Sequence, residues 1–148
     1  MGADLYITAL YEPTHEKWEP EFERAARARD EAPDEASRKA AQVRVEHAYG
    51  QMYSRGYFRD SYNDWNLLWK FGLSWWTDVI PMLNSEGCLA PEQAACLLAT
   101  LKEREPAFKA ALGKLQPRDQ AYFRERYAEL QQFLNEAIAL KKPVVCSL

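Results

Sequence analysis

Residues 56–76, GYFRDSYNDWNLLWKFGLSWW, contain the densest group of aromatic side chains in the sequence. Counted from Tyr49 to Trp76, ten of the nineteen aromatic residues lie within 28 of the 148 positions. Because aromatic side chains bury the largest apolar areas, this cluster could be the concentrated core of a small helical domain. Aromatic rings also dominate binding surfaces, so some of them could stay exposed and hold a ligand. The composition and motifs of the rest of the sequence bear on both interpretations, the aromatic core and the ligand-binding surface.

Length and composition predict one folded domain spanning residues 1–148. Apolar residues make up 47% of the chain and charged residues 28%, which is ordinary for a folded protein with a core of its own. The net charge of −3 comes from 22 acidic and 19 basic residues that are mixed along the sequence. No basic run of the kind that binds a phosphate backbone is present, so a nucleic-acid polymer is not the expected partner.

Targeting and membrane signals are missing from the sequence. No uncharged stretch approaches the ~20 residues that a membrane-crossing helix needs. The opening MGADLYITALYEP lacks the basic region of a secretory signal. The three cysteines, Cys88, Cys96 and Cys146, are odd in number and form no C-x-x-C pair, so no disulfide framework is expected. These features favour a cytoplasmic protein with no membrane partner.

Apolar spacing and helix-capping residues predict a mainly α fold, a compact multi-helix domain of about six helices. Proline is expected at the first turn of several helices, and Asp34 is expected to cap the long second one. The apolar stripe of that helix is expected to consist of Ala41, Val45, Ala48, Tyr49 and Met52. The predicted helices cover about 20–32, 34–55, 64–71 and 75–83, one begins at Pro91, another at Pro106, and the last covers 117–141.

Two short β-prone segments frame these helices. Residues 5–10, LYITAL, predict a strand, and residues 144–146 follow Pro143 with a second β-prone run. Because the termini of a domain often lie close together, the two segments could pair as a small two-stranded ribbon. Residues 57–63, YFRDSYN, are interpreted as a loop between helices.

Sequence motifs of enzymes and metal centres are absent. The six glycines form neither a dinucleotide-binding nor a phosphate-loop pattern, and His15 and His47 do not have metal-ligand spacing. We therefore expect no cofactor, no metal and no catalytic residue. A small hydrolase remains an alternative, with His47, Asp60 and Asp64 as its candidate bases.

Residues 57–76 carry the candidate ligand-binding side chains. Arg59 offers a planar fork for an anionic group, and tyrosine and tryptophan rings offer faces for stacking. The set fits a small planar anionic ligand such as a nucleotide, and it fits a protein interface equally well. In the purely structural interpretation, Arg59 pairs with Asp60 or another carboxylate and nothing is bound. The candidate ligand-binding residues are Arg59, Asp60, Tyr62, Asn63, Trp65 and Trp76.

The opening MGADLYI, together with GYFRDSYN, GLSWW, AYFRERYAELQ and the CSL ending, resembles a group of small proteins encoded by bacteria and their phages. The likeness covers most of the chain. No activity is attached to that group, so the resemblance implies a cytosolic single-domain protein and transfers no catalytic residue. A phage protein of this kind would be expected to sequester a host molecule or to counter a host defence.

Together these observations predict a non-catalytic binding module for a small-molecule or protein ligand. Its first expected form is a protein that sequesters a small planar anionic ligand. The alternatives are a protein-interaction or homo-oligomeric protein that binds through residues 57–76, and a small hydrolase.

Overall fold

The computed structural model describes residues 2–61, 63 and 65–148, and it is mainly helical, as predicted. The described part of the chain divides into two compact units, which are treated separately below: Thr8–Tyr57, and Met1–Ile7 together with Phe58–Leu148. In chain order the elements are β1 (Gly2–Tyr6), α1 (Thr8–Asp30), α2 (Glu35–Met52), β2 (Tyr57–Ser61), α3 (Leu67–Lys70), a π-helical turn (Trp75–Val79), a 3₁₀ turn (Ile80–Met82), β3 (Cys88–Leu89), α4 (Pro91–Glu103), α5 (Glu105–Leu112), α6 (Pro117–Leu140) and β4 (Val144–Ser147).

The unit Thr8–Tyr57 is a helical hairpin in which α1 and α2 pack along each other. Asp34 caps α2 as predicted, because its side chain accepts a hydrogen bond from the backbone N–H of Ser37 at 2.7 Å. The predicted stripe of α2 is confirmed except at Tyr49, whose side chain is 53% exposed. The buried members of the stripe are Ala41, Val45, Ala48 and Met52.

Helix α1 corrects two predictions. It begins at Thr8, so residues 8–10 of the predicted strand are helical, and it runs through Pro13 and Pro20 instead of starting at the second of them. Each proline removes one backbone N–H from the helix. Packing along α2 supplies the stability that local propensity lacks, because most helical stability in proteins comes from tertiary contacts.

The second unit is built around a four-stranded antiparallel sheet with the order β2-β1-β4-β3. The predicted pairing of the two terminal segments is confirmed: β1 and β4 are antiparallel, and Leu5 lies opposite Cys146. On its other side β4 pairs with β3, where Leu89 lies opposite Val144. The expected two-stranded ribbon is therefore the centre of a larger sheet.

Strand β2 occupies the segment that was interpreted as a loop, and that interpretation is wrong. Phe58 and Asp60 are buried while Arg59 between them is exposed, which is the alternation of a strand with one face on the core. The pattern escapes detection in the sequence because one of its two inward positions holds a carboxylate. As the outer strand of the order, β2 also lacks the apolar run of a central strand.

Helices α4, α5 and α6 complete this unit, each with proline in its first turn as predicted. The inward faces of α5 and α6 meet Phe71, at the end of α3, in a group of rings. Phe71 stacks on Phe108 with centroids 4.3 Å apart, and Tyr127 contacts both rings edge-on at 4.8 and 5.3 Å. Within the described residues, no helix combines the length and hydropathy that crossing a membrane would require.

Candidate functional site

The carboxylate of Asp60 is the polar centre of the segment 57–76. Asp60 is 7% exposed, and its oxygens accept hydrogen bonds from the backbone N–H groups of Leu67, at 2.9 and 3.0 Å, and of Leu68, at 3.3 Å. The indole Nε1–H of Trp75 donates a further bond at 2.9 Å. All of these donors belong to the chain itself. The geometry therefore gives Asp60 a structural role, which is to bind the start of α3 and the ring of Trp75 to strand β2.

Asn66 caps α3, whereas the predicted cap, Asp64, lies outside the described residues. The side-chain oxygen of Asn66 accepts a hydrogen bond from the N–H of Trp69 at 2.7 Å, and its amide donates to the carbonyl of Asn63 at 2.8 Å. Asn63 in turn accepts from the N–H of Trp65 at 2.9 Å. The side chain of Asn63, predicted to contact a ligand, thus shapes the turn that leads into α3.

The other end of α3 is closed by Gly72, which has a φ of +69°. Its N–H donates to the carbonyl of Trp69 at 3.0 Å, and the next N–H, of Leu73, donates to Leu68 at 3.1 Å. These two bonds form the Schellman motif, which requires a left-handed residue at this position. Both ends of α3 are therefore fixed by hydrogen bonds that the local sequence supplies.

The tryptophans of the segment differ widely in exposure. Trp75 is 1% exposed, whereas Trp65, Trp69 and Trp76 are 43%, 57% and 55% exposed. We call these three side chains the indole surface. Residues 57–76 consequently contribute both to the core and to the surface, and ligand binding by the exposed rings stays a prediction.

Trp65 is held against helix α6. Its ring lies edge-on to Phe123 with centroids 5.1 Å apart, and the ammonium of Lys70 lies 5.0 Å from the Trp65 ring and 5.1 Å from the Phe123 ring. Tyr122, 47% exposed, contacts Phe123 on the same helix at 5.1 Å. The indole therefore has defined neighbours while much of it remains accessible.

Arg59 does not pair with Asp60, because successive side chains of a strand point to opposite faces. Its guanidinium Nε lies 3.7 Å from a carboxylate oxygen of Asp4, and its side chain is 55% exposed. Its carbonyl accepts a hydrogen bond from Arg126, whose guanidinium lies over the Phe58 ring at 4.5 Å. The strand thus separates Arg59 from Asp60. Trp65 and Trp76 lie on the exposed surface, and Tyr62 is outside the described residues.

The helical hairpin contains a groove that the sequence did not indicate. Its cavity has a volume of about 500 Å³. We call it the hairpin groove. It escaped prediction because α1 was expected to start at Pro20, which left the first groove residues outside any helix. The lining residues are Lys17, Trp18, Glu21 and Arg24 of α1 and Val43, Arg44 and His47 of α2.

A cluster of rings lies elsewhere on the same hairpin. Tyr53 is its centre, with ring centroids 4.8 Å from Tyr57, 4.9 Å from Tyr49, 5.8 Å from His15 and 5.9 Å from Tyr11. In the sequence, the spacing of four residues between the tyrosines at 49, 53 and 57 is the pattern that indicates this ring cluster. These contacts account for part of the aromatic excess without a ligand.

A second cavity, of about 310 Å³, is lined by residues of α5 and α6. Its wall includes the Tyr127 hydroxyl, which donates to the Glu105 carboxylate at 2.8 Å. Burial, followed by this hydrogen bond, raises the pKa of Tyr127 above its ordinary value. Tyr127 therefore stays protonated at neutral pH and serves as a hydrogen-bond donor within the fold.

Of the three candidate bases, Asp64 lies outside the described residues, and Asp60 and His47 make contacts within the chain. Asp60 is engaged by four N–H groups of its own chain, which include that of Ser61 at 3.0 Å. The ring contact of His47 is an edge-on one with Trp18. Among the described residues, no group of three or more His, Cys, Asp or Glu side chains is placed to hold a metal ion.

No protein-family model, curated protein or solved structure matches this chain. The resemblance to small proteins of bacteria and their phages therefore stays a prediction. The functional argument rests on the geometry of the molecule.

Proposed function

We propose that this protein is a non-catalytic binding protein that holds a partner protein through the indole surface. One observation carries the proposal: Trp65, Trp69 and Trp76 are about half exposed, although they alternate along the chain with residues that are fully buried. Single exposed apolar residues are normal on any protein. Three of the five tryptophans within twelve positions are a concentration of the kind found at interaction sites.

The energetic case comes from the area that each ring still exposes. Covering about 100 Å² of indole surface contributes about 2.5 kcal/mol before the costs of association are subtracted. Tryptophan is accordingly among the residues that dominate the binding energy of protein interfaces. Three such rings are sufficient to form the centre of an interface.

Preorganisation adds to this argument. The segment is fixed by the Asp60 carboxylate, by the Asn66 cap and by the Gly72 motif. A surface that is already ordered loses little conformational entropy when a partner binds. The indoles are thus presented by a frame that does not have to form on binding.

Charge next to the rings indicates the chemistry of the partner. Lys70 places a positive charge 5.0 Å from the Trp65 ring. A partner with an apolar patch bordered by carboxylates would complement both the ring and the cation. Holding a host protein in this way would be the sequestration that the resemblance to phage proteins implies.

The test is affinity capture followed by measurement of a dissociation constant with the purified partner. Trp69→Ala and Trp76→Ala should each weaken binding by about tenfold or more without changing the far-UV circular dichroism spectrum. Leu140→Ser, which alters a 46% exposed apolar residue at the end of α6, is the matched control and should leave binding unchanged. Equal binding by all three variants would contradict the proposal.

Sedimentation equilibrium distinguishes a foreign partner from a second copy of this chain. Self-association that Trp69→Ala abolishes would replace the foreign partner with a homo-oligomer. A monomer at all concentrations, with binding that depends on the indoles, is the outcome expected from the proposal.

The small planar anionic ligand is the second candidate function, and we propose a site for it outside residues 57–76. The carboxylate of Asp60 is engaged by the fold, and Arg59 is directed to the opposite face of its strand. The combination of a ring, a cavity and excess positive charge is found instead in the hairpin groove.

A further inference from the structure

Excess positive charge is the first feature of the hairpin groove. Lys17, Arg24 and Arg44 contribute three cations, against the single carboxylate of Glu21, in a chain whose net charge is negative. Glu21 accepts hydrogen bonds from Arg44 Nη2 and Arg24 Nη2, both at 2.9 Å. These bonds, that of Arg44 first, lower the pKa of Glu21, so it stays ionised at neutral pH and keeps both guanidiniums in place.

The two arginines retain binding capacity after this pairing. The side chain of Arg24 is 69% exposed and that of Arg44 is 54% exposed. A guanidinium presents several N–H donors in a planar fork, and the single bond of Arg44 to Glu21 uses one of them. One carboxylate thus orients two cations without satisfying either, which leaves donors for an anionic group of a ligand.

An aromatic wall is the second feature of the groove. Trp18 is half-buried, and His47 lies edge-on to it with centroids 5.6 Å apart and an angle of 84° between the rings. Val43, 66% exposed, adds apolar surface from α2. Ligand sites usually combine such a wall with a few polar groups, and the cavity of about 500 Å³ falls within their usual range of volumes.

We propose that the hairpin groove binds a small molecule that carries a planar ring and an anionic group, about the size of a nucleoside monophosphate. The ring lies against Trp18, and the anionic group meets the guanidinium of Arg44 and the ammonium of Lys17. This site is independent of the indole surface and of any partner that the indole surface holds.

A long polyanion fits the groove poorly. Exposed carboxylates lie beside its cations in sequence: Glu16 precedes Lys17, and Glu23 precedes Arg24. A phosphate backbone that continued along the hairpin would meet these like charges. A ligand confined to the groove avoids them, so the charge pattern favours a small anion.

The proposal is tested by NMR titration of the intact protein with defined probes. The probes are adenosine 5′-monophosphate, uridine 5′-monophosphate and naphthalene-2-carboxylate, which carry both a ring and a charge. Adenosine carries the ring alone, and inorganic phosphate carries the charge alone. At least one of the first three should shift the indole N–H resonance of Trp18 and the ring resonances of His47. Adenosine and phosphate should each bind about tenfold more weakly.

Matched variants assign the effect to the groove. Arg44→Gln should weaken binding by about tenfold or more. Arg38→Gln removes a cation from an exposed pair with Glu35 on the same helix, outside the groove, and should leave binding unchanged. Because both side chains are exposed, neither change should disturb the fold.

Three results would overturn the proposal. The first is the absence of shifts with every charged ring at millimolar concentration. The second is equal loss of binding in Arg44→Gln and Arg38→Gln. The third is a single-stranded oligonucleotide that binds more tightly than the small probes and is weakened by both Arg44→Gln and Arg38→Gln. That result would mean that the hairpin is a surface for polyanions. Binding in the groove that persists after Trp69→Ala separates this site from the indole surface.

Discussion

At the residue scale, Asp60 shows how one buried carboxylate can fix the structure of a segment whose sequence predicts an aromatic core. It accepts hydrogen bonds from two successive backbone N–H groups and one indole. A carboxylate can do this because it is an acceptor at both oxygens. One donor, the N–H of Ser61, is the next residue in the sequence, but the donors on Leu67, Leu68 and Trp75 lie 7 to 15 positions away, beyond the range of local patterns.

Asp60→Asn is expected to lower the free energy of unfolding by about 2–3 kcal/mol. The amide keeps the volume but turns one acceptor into a donor, which leaves either Ser61 or both Leu68 and Trp75 without their acceptor. Urea denaturation measures the change, and the exposed Asp30→Asn should stay within about 0.5 kcal/mol of the parent protein. An Asp60→Asn protein of unchanged stability that had lost ligand binding would instead favour the contact role predicted from sequence.

The three cysteines should differ in their reaction with iodoacetamide at pH 8. Burial raises the pKa of Cys146 to about 12 and also raises the pKa of Cys88, so both remain protonated thiols. Cys96 is exposed on α4 and should be alkylated first. Intact-mass spectrometry should show one rapid addition that Cys96→Ser removes. A rapid addition that persists in this variant would show that a second thiol is accessible.

At the scale of single elements, α3 is fixed by its two ends more than by its length, since it spans only Leu67–Lys70. An isolated helix of one turn is unstable in water. The cap at Asn66 and the turn at Gly72 satisfy the backbone groups that such a short helix leaves unpaired. The orientation of Trp69 therefore depends on these two positions.

Gly72→Ala and Gly50→Ala should have effects of opposite sign on stability. The backbone of Gly72 has a φ of +69°, which is unfavourable for a residue with a Cβ atom. Alanine at this position should therefore lower the free energy of unfolding by about 1 kcal/mol. Gly50 lies inside α2, where an added methyl group meets no described atom within 4 Å, and alanine should stabilise the helix by about 0.5–1 kcal/mol. Thermal melts of both variants check the prediction. A loss of stability in Gly50→Ala comparable to that in Gly72→Ala would contradict it.

The success of sequence-based prediction also differed from element to element. Helices α4 and α6 were predicted closely, because proline marks the start of each and an apolar stripe continues along it. Helix α1 was not, because its prolines at 13 and 20 resemble boundaries and only packing against α2 overrides them. Among the candidate site residues, Trp65 and Trp76 are exposed and Asp60 is buried, and their role in ligand binding stays a prediction. The hairpin groove was invisible because it is formed by two helices that approach only in the folded chain.

At the scale of the whole molecule, the last strand holds the sheet together. In the order β2-β1-β4-β3, strand β4 is the link between β1 and β3. Val144 on β4 is fully buried. The ends of the described chain thus form the middle of the sheet, and the stability of the unit depends on a pairing between the most distant parts of the sequence.

Deleting residues 144–148 should abolish cooperative unfolding of this unit. The deletion removes both ladders of β4 and exposes the apolar surface that Val144 covers. Near-ultraviolet circular dichroism should lose its tertiary signal, whereas deletion of Leu148 alone should keep it. A native spectrum after the longer deletion would show that the helices hold the unit without the central strand.

The chain leaves the sheet after β1, forms α1 and α2, and returns in β2, which is the neighbouring strand. Because β1 and β2 are antiparallel neighbours, the exit and the return occur at the same end of the sheet. Because the two strands that residues 8–56 connect are already neighbours, a short hairpin turn in their place would preserve the strand order. Loss or gain of residues 8–56 at this point would therefore remove or add the hairpin groove in a single event, with the strand order of the sheet retained.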